Sequence, residues 1–249
     1  MGQPAVSITN LGFSYPAQPG LLFARLGLEI ADGLRFGLFG PNGAGKTTLM
    51  NLMTGILPYD QGSIELLGHR VKKKSKTVNS LFGLVPQDYS FYEELTPVEN
   101  LEFFGAWAGL SPRQTRERTE ELLEVMNLRE VRNKAVGQFS GGMKRKVNLA
   151  IGVIHQPRIL FLDEPTVGVD VNTRHELIRY LIELNRKGTT LVYTSHQLDE
   201  AEELCERIAL MDKGKIIACG DLGRLLEEHR QTDLEGLFLH LTGTVFDDR

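Results

Sequence analysis

The chain has 249 residues, 41% of them hydrophobic, enough for one large core or a core with a subdomain. A formal net charge of −4 argues against a nucleic-acid-binding surface, so no nucleic-acid partner is expected. No apolar run approaches the ~18–20 residues that cross a bilayer, and the opening residues do not read as a secretion signal. Cys205 and Cys219 lack zinc spacing and read as small core residues of a reducing, cytoplasmic compartment.

Residues 6–9, 12–15 and 26–30 read as short strands, and 64–67 continues that character, so a small, mainly antiparallel sheet is expected at this end. Residues 34–39 read as a short buried strand and 48–53 as the first turns of a helix. Between them stands Gly40-Pro41-Asn42-Gly43-Ala44-Gly45-Lys46-Thr47-Thr48, which fits the Walker A pattern G-x-x-x-x-G-K-S/T. Glycines let successive backbone N–H groups converge on phosphate oxygens, and a helix N-terminus adds positive potential. The spacing assigns Lys46 to the β- and γ-phosphates and the Thr47 hydroxyl to Mg²⁺. A nucleoside triphosphate site is expected here.

The basic run Lys72-Lys73-Lys74-Ser75-Lys76 reads as a solvated loop or hairpin tip. After Gln87 the pattern turns helical, up to about Gln156. Its most apolar window, 103–110, carries two glycines and is too short for a membrane span. Ser111-Pro112-Arg113-Gln114 resembles a capping box, and Leu122, Val125, Met126 and Leu128 are expected on one apolar face. Phe139-Ser140-Gly141-Gly142-Met143-Lys144 precedes the helical run 146–150. It reads either as a capped turn or as a second nest of N–H donors at a helix N-terminus.

From Pro157 strand and helix alternate, which predicts a parallel sheet covered by helices. Strands are expected at 159–162, 190–193, 208–211 and 216–218, and helices at 172–187, stopped by Gly188, and at 198–205. The first of these strands delivers Asp163 beside the phosphate loop, where a carboxylate can hold the Mg²⁺ shell. Glu164 follows it and can polarise a water that attacks the γ-phosphate. Apolar residues at 234, 237, 238 and 241 form a helical stripe expected to dock on its own domain.

Phe139 to Lys144, lying between these two phosphate motifs, resembles the L-S-G-G-Q signature of the ATP-binding-cassette (ABC) ATPases. The resemblance runs through nearly the whole chain, in order. Tyr15 matches the aromatic that stacks on adenine, and Gln87, in Leu84-Val85-Pro86-Gln87-Asp88, the glutamine that senses Mg²⁺ and the γ-phosphate. Pro165-Thr166-Val167-Gly168-Val169-Asp170 matches the D-loop, and His196 the switch histidine on the γ-phosphate. The signature departs at Phe139 for leucine and Met143 for glutamine; Ser140, Gly141 and Gly142 keep the phosphate contacts. The Phe-Ser-Gly-Gly-Met form and the tail 233–239 look like the subfamily serving ABC-2-type drug, polysaccharide or lipid exporters.

That resemblance implies a single α/β P-loop NTPase cassette over residues 1–249. It has a RecA-like mixed or parallel sheet core, an antiparallel β subdomain and an inserted α-helical subdomain. The implied divisions are 1–87 for the β subdomain and phosphate loop, 88–156 helical, 157–220 the rest of the core, and 221–249 a helical tail. It also implies an Mg²⁺-dependent ATPase with Glu164, His196 and Lys46 catalytic, and Thr47, Gln87 and Asp163 at the metal. Residues 40–48, Tyr15, Gln87, Ser140, Gly141, Gly142 and Asp170 contact ATP. The signature of one cassette faces the nucleotide of another, so a second copy or a paralogous cassette is expected. A membrane permease, met through Gln87 and residues 89–100, completes the set and holds the chain at the inner face of the membrane.

The alternative within the family is a soluble ABC ATPase, such as one serving iron–sulfur assembly, recognisable by soluble partners alone. A GTPase reading fails at its guanine-reading Asn-Lys-x-Asp, because Asn133-Lys134-Ala135 is followed by Val136. Hydrolysis of ATP in clear preference to GTP is the expected outcome of a side-by-side turnover assay.

Overall fold

A computed structural model describes residues 2–16, 20–72, 75–196 and 198–243. Strands β1 (Val6–Phe13) and β2 (Phe23–Ile30) pair antiparallel, and β3 (Arg35–Phe39) leads into α1 (Lys46–Met53). The chain returns through β4 (Gln61–Leu66) and β5 (His69–Arg70) to complete a four-stranded sheet, ordered β2-β1-β4-β5. The expected antiparallel sheet is present, but 6–9 and 12–15 are not separate strands. They form one irregular strand that ends at Phe13, with its register shifting after Ile8 and Asn10 at φ 50°; Tyr15 lies beyond it.

The short helix α2 (Lys76–Asn79), capped by Ser75, precedes β6 (Phe82–Val85). Lys76 is therefore helical rather than part of a loop tip, while Lys73 and Lys74 lie outside the described residues. Then come α3 (Pro97–Trp107), α4 (Pro112–Val125) and α5 (Gly141–Val153). Thr96 with Glu99 and Ser111 with Gln114 form full capping boxes, each with proline inside the first turn. Beyond β7 (Ile159–Asp163) the order is α6 (Val171–Arg186), β8 (Thr190–Ser195), α7 (Leu198–Leu204), β9 (Arg207–Asp212) and β10 (Lys215–Asp221). Helices α8 (Leu222–His229) and α9 (Leu234–Thr242) follow. Leu234 and Leu237 are buried in this chain's own core.

The second sheet is ordered β10-β9-β3-β8-β7-β6, parallel except for the edge strand β10. A strand buried on both faces sends alternate side chains to opposite cores. Ile159 and Phe161 of β7 pack with α1 and the antiparallel sheet, whereas Leu160 and Leu162 pack with α5 and α6. Two expectations are corrected. Val125 is 45% exposed, because Leu122, Leu123 and Met126 centre the buried stripe of α4 and leave Val125 at its border. Cys219 is exposed on β10, which has a neighbour on one side only; Cys205 alone is buried.

Helix α5 reaches β6 because glycines meet there. A Cβ on Gly83 would stand 2.0 Å from the Gly152 carbonyl, and one on Gly152 would stand 2.6 Å from a Val85 methyl. Overpacking of this kind costs about 1–3 kcal/mol. Gly83→Ala should lower the stability measured by urea unfolding by at least that amount.

Candidate functional site

Parallel strands bring their C-terminal ends to one edge, and ligands of such sheets bind there. Strand β3 delivers the Gly40 loop, β7 delivers Asp163 and Glu164, and β8 delivers Thr194 and then His196. The loop needs its glycines. Gly40, Gly43 and Gly45 have φ of 154°, 79° and 104°, and a Cβ on Gly40 would stand 2.3 Å from the Met211 carbonyl. The Gly214 N–H, from the turn between β9 and β10, supports the loop from behind by donating to the Ala44 carbonyl at 3.0 Å.

Helix α1 starts at Lys46 with Gly45 as its cap and no side chain accepting from its first turn, which also holds no acidic residue. An uncapped N-terminus under a glycine loop suits a phosphate group. Lys46 is buried and its Nζ donates to the carbonyls of Gly40 at 2.7 Å and Pro41 at 3.2 Å. Burial lowers the ammonium pKa, and the carboxylates of Glu164 and Asp163 oppose that shift.

Asp163 accepts from the Thr194 hydroxyl at 2.5 Å and from the Thr47 hydroxyl at 3.3 Å. Burial raises its carboxyl pKa, and these two hydroxyls pull it back. Such an oxygen-rich pair, Thr47 beside a buried carboxylate, fits a hard cation. Glu164, also buried, holds φ 48°, a left-handed conformation unusual for a side chain of its size. Its carboxylate is gripped from two sides, by Gln87 Nε2 at 3.0 Å and by His196 Nδ1 at 3.0 Å.

Tyr15 stands at the outer rim, its hydroxyl hydrogen-bonded with Thr48 Oγ1 at 2.9 Å and its ring edge-on to Phe13. Tyr15, Asn42, Lys46, Thr47, Gln87 and Glu164 line one cleft of about 310 Å³. A larger cavity of about 630 Å³, against Arg118, Arg158 and Tyr180, touches none of them.

Ser140, Gly141, Gly142 and Asp170 are absent from this cleft. They form a second cluster at the heads of α5 and α6. Ser140 caps α5 by accepting from the Met143 N–H, and Asp170 caps α6 by accepting from Asn172 and Thr173. Bonds from Thr173 hold the Asp170 carboxyl below its usual range. A Cβ on Gly142 would meet Thr173 Oγ1 at 2.9 Å, so the two helix heads abut.

Other partners carry no local sequence signal. Thr194 sits opposite Asp163 in the register of β7 with β8. Fully buried Glu200 accepts from Thr166 at 2.6 Å and from Tyr193 at 2.5 Å, joining the loop after Glu164 to the helix after His196. Burial and Glu200 raise the Tyr193 phenol well above its ordinary value, which keeps it a donor.

A family model described as ABC transporter matches residues 23–167. The linearmycin resistance ATP-binding protein of Bacillus subtilis is 40% identical over 78% of this chain and 63% of its own length. A Nod factor export ATP-binding protein of Rhizobium sp. is 40% identical over 92% of this chain and 75% of its own length. A daunorubicin resistance ATP-binding protein of Streptomyces coeruleorubidus is 42% identical over 82% and 64%. The matched region thus spans about two thirds of these relatives. A solved ATP-binding subunit of an ABC transporter superposes with a TM-score of 0.87 at 28% identity, covering 96% of this chain and 99% of that one.

Thr194→Val should leave Asp163 short of its closest donor. The expected cost is about 1–3 kcal/mol at neutral pH. The lost bond supports the charged carboxylate, so the deficit should shrink as acid protonates Asp163 in both folded and unfolded states. Chemical unfolding at neutral and at acid pH measures both.

Proposed function

The chain belongs to the ABC transporter family, and from that premise we propose that it is the ATP-binding and hydrolysing subunit of an exporter. The observation that carries this reading is Glu164, a strained, buried carboxylate held by Gln87 and His196 beside Lys46 and the glycine loop. Backbone N–H groups of residues 40–48 and the head of α1 hold the phosphates, Lys46 adds charge, and Tyr15 takes the adenine face. Thr47, Asp163 and Gln87 would hold Mg²⁺, which when bound neutralises charge on the transferred phosphate. Glu164 takes the proton of the attacking water, and His196 fixes the carboxylate's orientation.

Ser140, Gly141, Gly142 and Asp170, clustered at the heads of α5 and α6, then serve the nucleotide of a second cassette, identical or paralogous, as the signature resemblance implies. Residues 88–156 act as the inserted helical subdomain. Their exposed aromatics Tyr89, Tyr92, Phe103 and Trp107 offer a face for a membrane permease. No helix among the described residues is long and apolar enough to cross a membrane. Relatives named as ATP-binding proteins support a permease on a separate chain, which would hold this one at the inner face. Relatives named for drug resistance and Nod factor export support cargo of drug, polysaccharide or lipid type.

Glu164→Gln should keep nucleotide affinity and lose turnover by ~10²–10⁴-fold, the usual worth of a general base. Gel filtration with ATP should show the variant accumulating as a dimer. Wild-type turnover in this variant would remove Glu164 from the mechanism.

A further inference from the structure

We propose that Arg145 is a positioning residue that ties the Gln87 loop to the helix headed by Ser140 and so sets the Glu164 carboxylate. The proposal rests on the catalytic reading of Glu164 above.

Arg145 lies in the second turn of α5 and is 4% exposed. Its guanidinium reaches two loops at once. Nη1 donates to the Gln87 carbonyl at 2.9 Å and the Pro86 carbonyl at 3.4 Å, and Nη2 donates to the Val167 carbonyl at 3.3 Å. Both loops lead to Glu164. The Gln87 side chain donates to its carboxylate at 3.0 Å, and the Val167 N–H donates to its carbonyl at 3.3 Å.

Two neighbours brace the same contact. The ring of Tyr89 faces the guanidinium at 5.1 Å, and its hydroxyl donates to the Gly141 carbonyl at 3.3 Å. Asn148, one turn on along α5, donates to the Pro86 carbonyl at 3.2 Å and accepts from Ser90 N–H at 3.1 Å. Residues 86–90 are thus held through their backbone by two side chains of one helix.

Packing alone does not call for this arginine. Among the described residues no carboxylate stands within ion-pair distance and its Nε has no hydrogen-bond partner; burial works most strongly against its charge, with Tyr89, Asp88 and Glu164 opposing from further off. An apolar side chain of similar volume avoids that desolvation cost. What the arginine has and an apolar chain lacks is a rigid fork that grasps carbonyls on two loops. Because Ser140 to Gly142 head the same helix, movement of α5 on docking reaches Gln87 and Val167 through Arg145. Occupancy at one helix head then controls the geometry of Glu164 at the other site.

The test compares wild type, Arg145→Met, Arg145→Lys, Tyr89→Leu and Glu164→Gln. It measures ATP turnover, affinity for a fluorescent ATP analogue, and thermal melting. Arg145→Met is expected to lower kcat on the order of 100-fold while analogue affinity stays within about threefold and melting does not fall. Arg145→Lys keeps the charge and reaches only one loop, so kcat should recover in part. Loss of kcat in step with affinity and melting, or kcat near wild type in either Arg145 variant, would overturn the proposal. Should Arg145→Met fail to fold, Arg145→Lys and the half-exposed Tyr89→Leu carry the same comparison, each expected to lower kcat at unchanged affinity. Turnover in wild type with none in Glu164→Gln keeps the catalytic reading intact, so a wild-type-like Arg145 variant then sinks the coupling alone. Full turnover in Glu164→Gln overturns the reading and the proposal together.

Discussion

The parallel register of β3, β8 and β7 is the constraint on which the site depends. Phe39 pairs with Ser195, and Asp163 pairs with Thr194, so three strand ends stop at one level. Each end then hands over a different group: the glycine loop, the two carboxylates, and the histidine. Since all three strands are buried on both faces, a slip of one residue would reverse which side chains meet each core. The same apolar packing that stabilises the sheet therefore fixes the spacing of the polar groups at its edge.

Those groups are costly where they stand. Asp163 and Glu164 are adjacent, buried and of like charge, and Lys46 is buried between the loop carbonyls that it contacts. Each is offset by hydrogen-bond partners as well as by opposite charge. Thr194 and Thr47 serve Asp163, Gln87 and His196 serve Glu164, and two carbonyls serve Lys46. The left-handed backbone at Glu164 adds strain, of order 1–3 kcal/mol for such residues, that the surrounding sheet must hold. A cleft so arranged is primed for polyanion and cation together, since both would relieve charges that the protein alone balances with dipoles.

What could be read from sequence was local. The glycine loop, Lys46 and Thr47 occupy one short stretch, and a buried strand ending in Asp163 and Glu164 has its own apolar pattern. The helix cap at Ser111 follows from residue type and spacing. Tyr15, Gln87 and His196 have no such signal and came into view only through family resemblance. Thr194, Arg145 and Glu200 stayed hidden, because their roles arise from pairings 31, 58 and 34 residues apart in sequence. Cys219 and Val125 were misplaced for a related reason: the edge of a sheet and the border of a helical stripe are set by neighbours, not by composition.

The buried polar links also join this compact site to the helices around it. Glu200 binds Thr166 and Tyr193, so the loop after Glu164 and the strand before His196 are held by one carboxylate. Arg145 and Asn148 of α5 hold the loop that carries Gln87. Glu164 therefore stands between two rigid supports, one belonging to the parallel sheet and one to the helices. Gln87 belongs to the helix-held support and His196 follows a strand of the sheet, and the Glu164 carboxylate contacts both. The coupling proposed through Arg145 needs no long pathway, because the two supports meet at the Glu164 carboxylate itself.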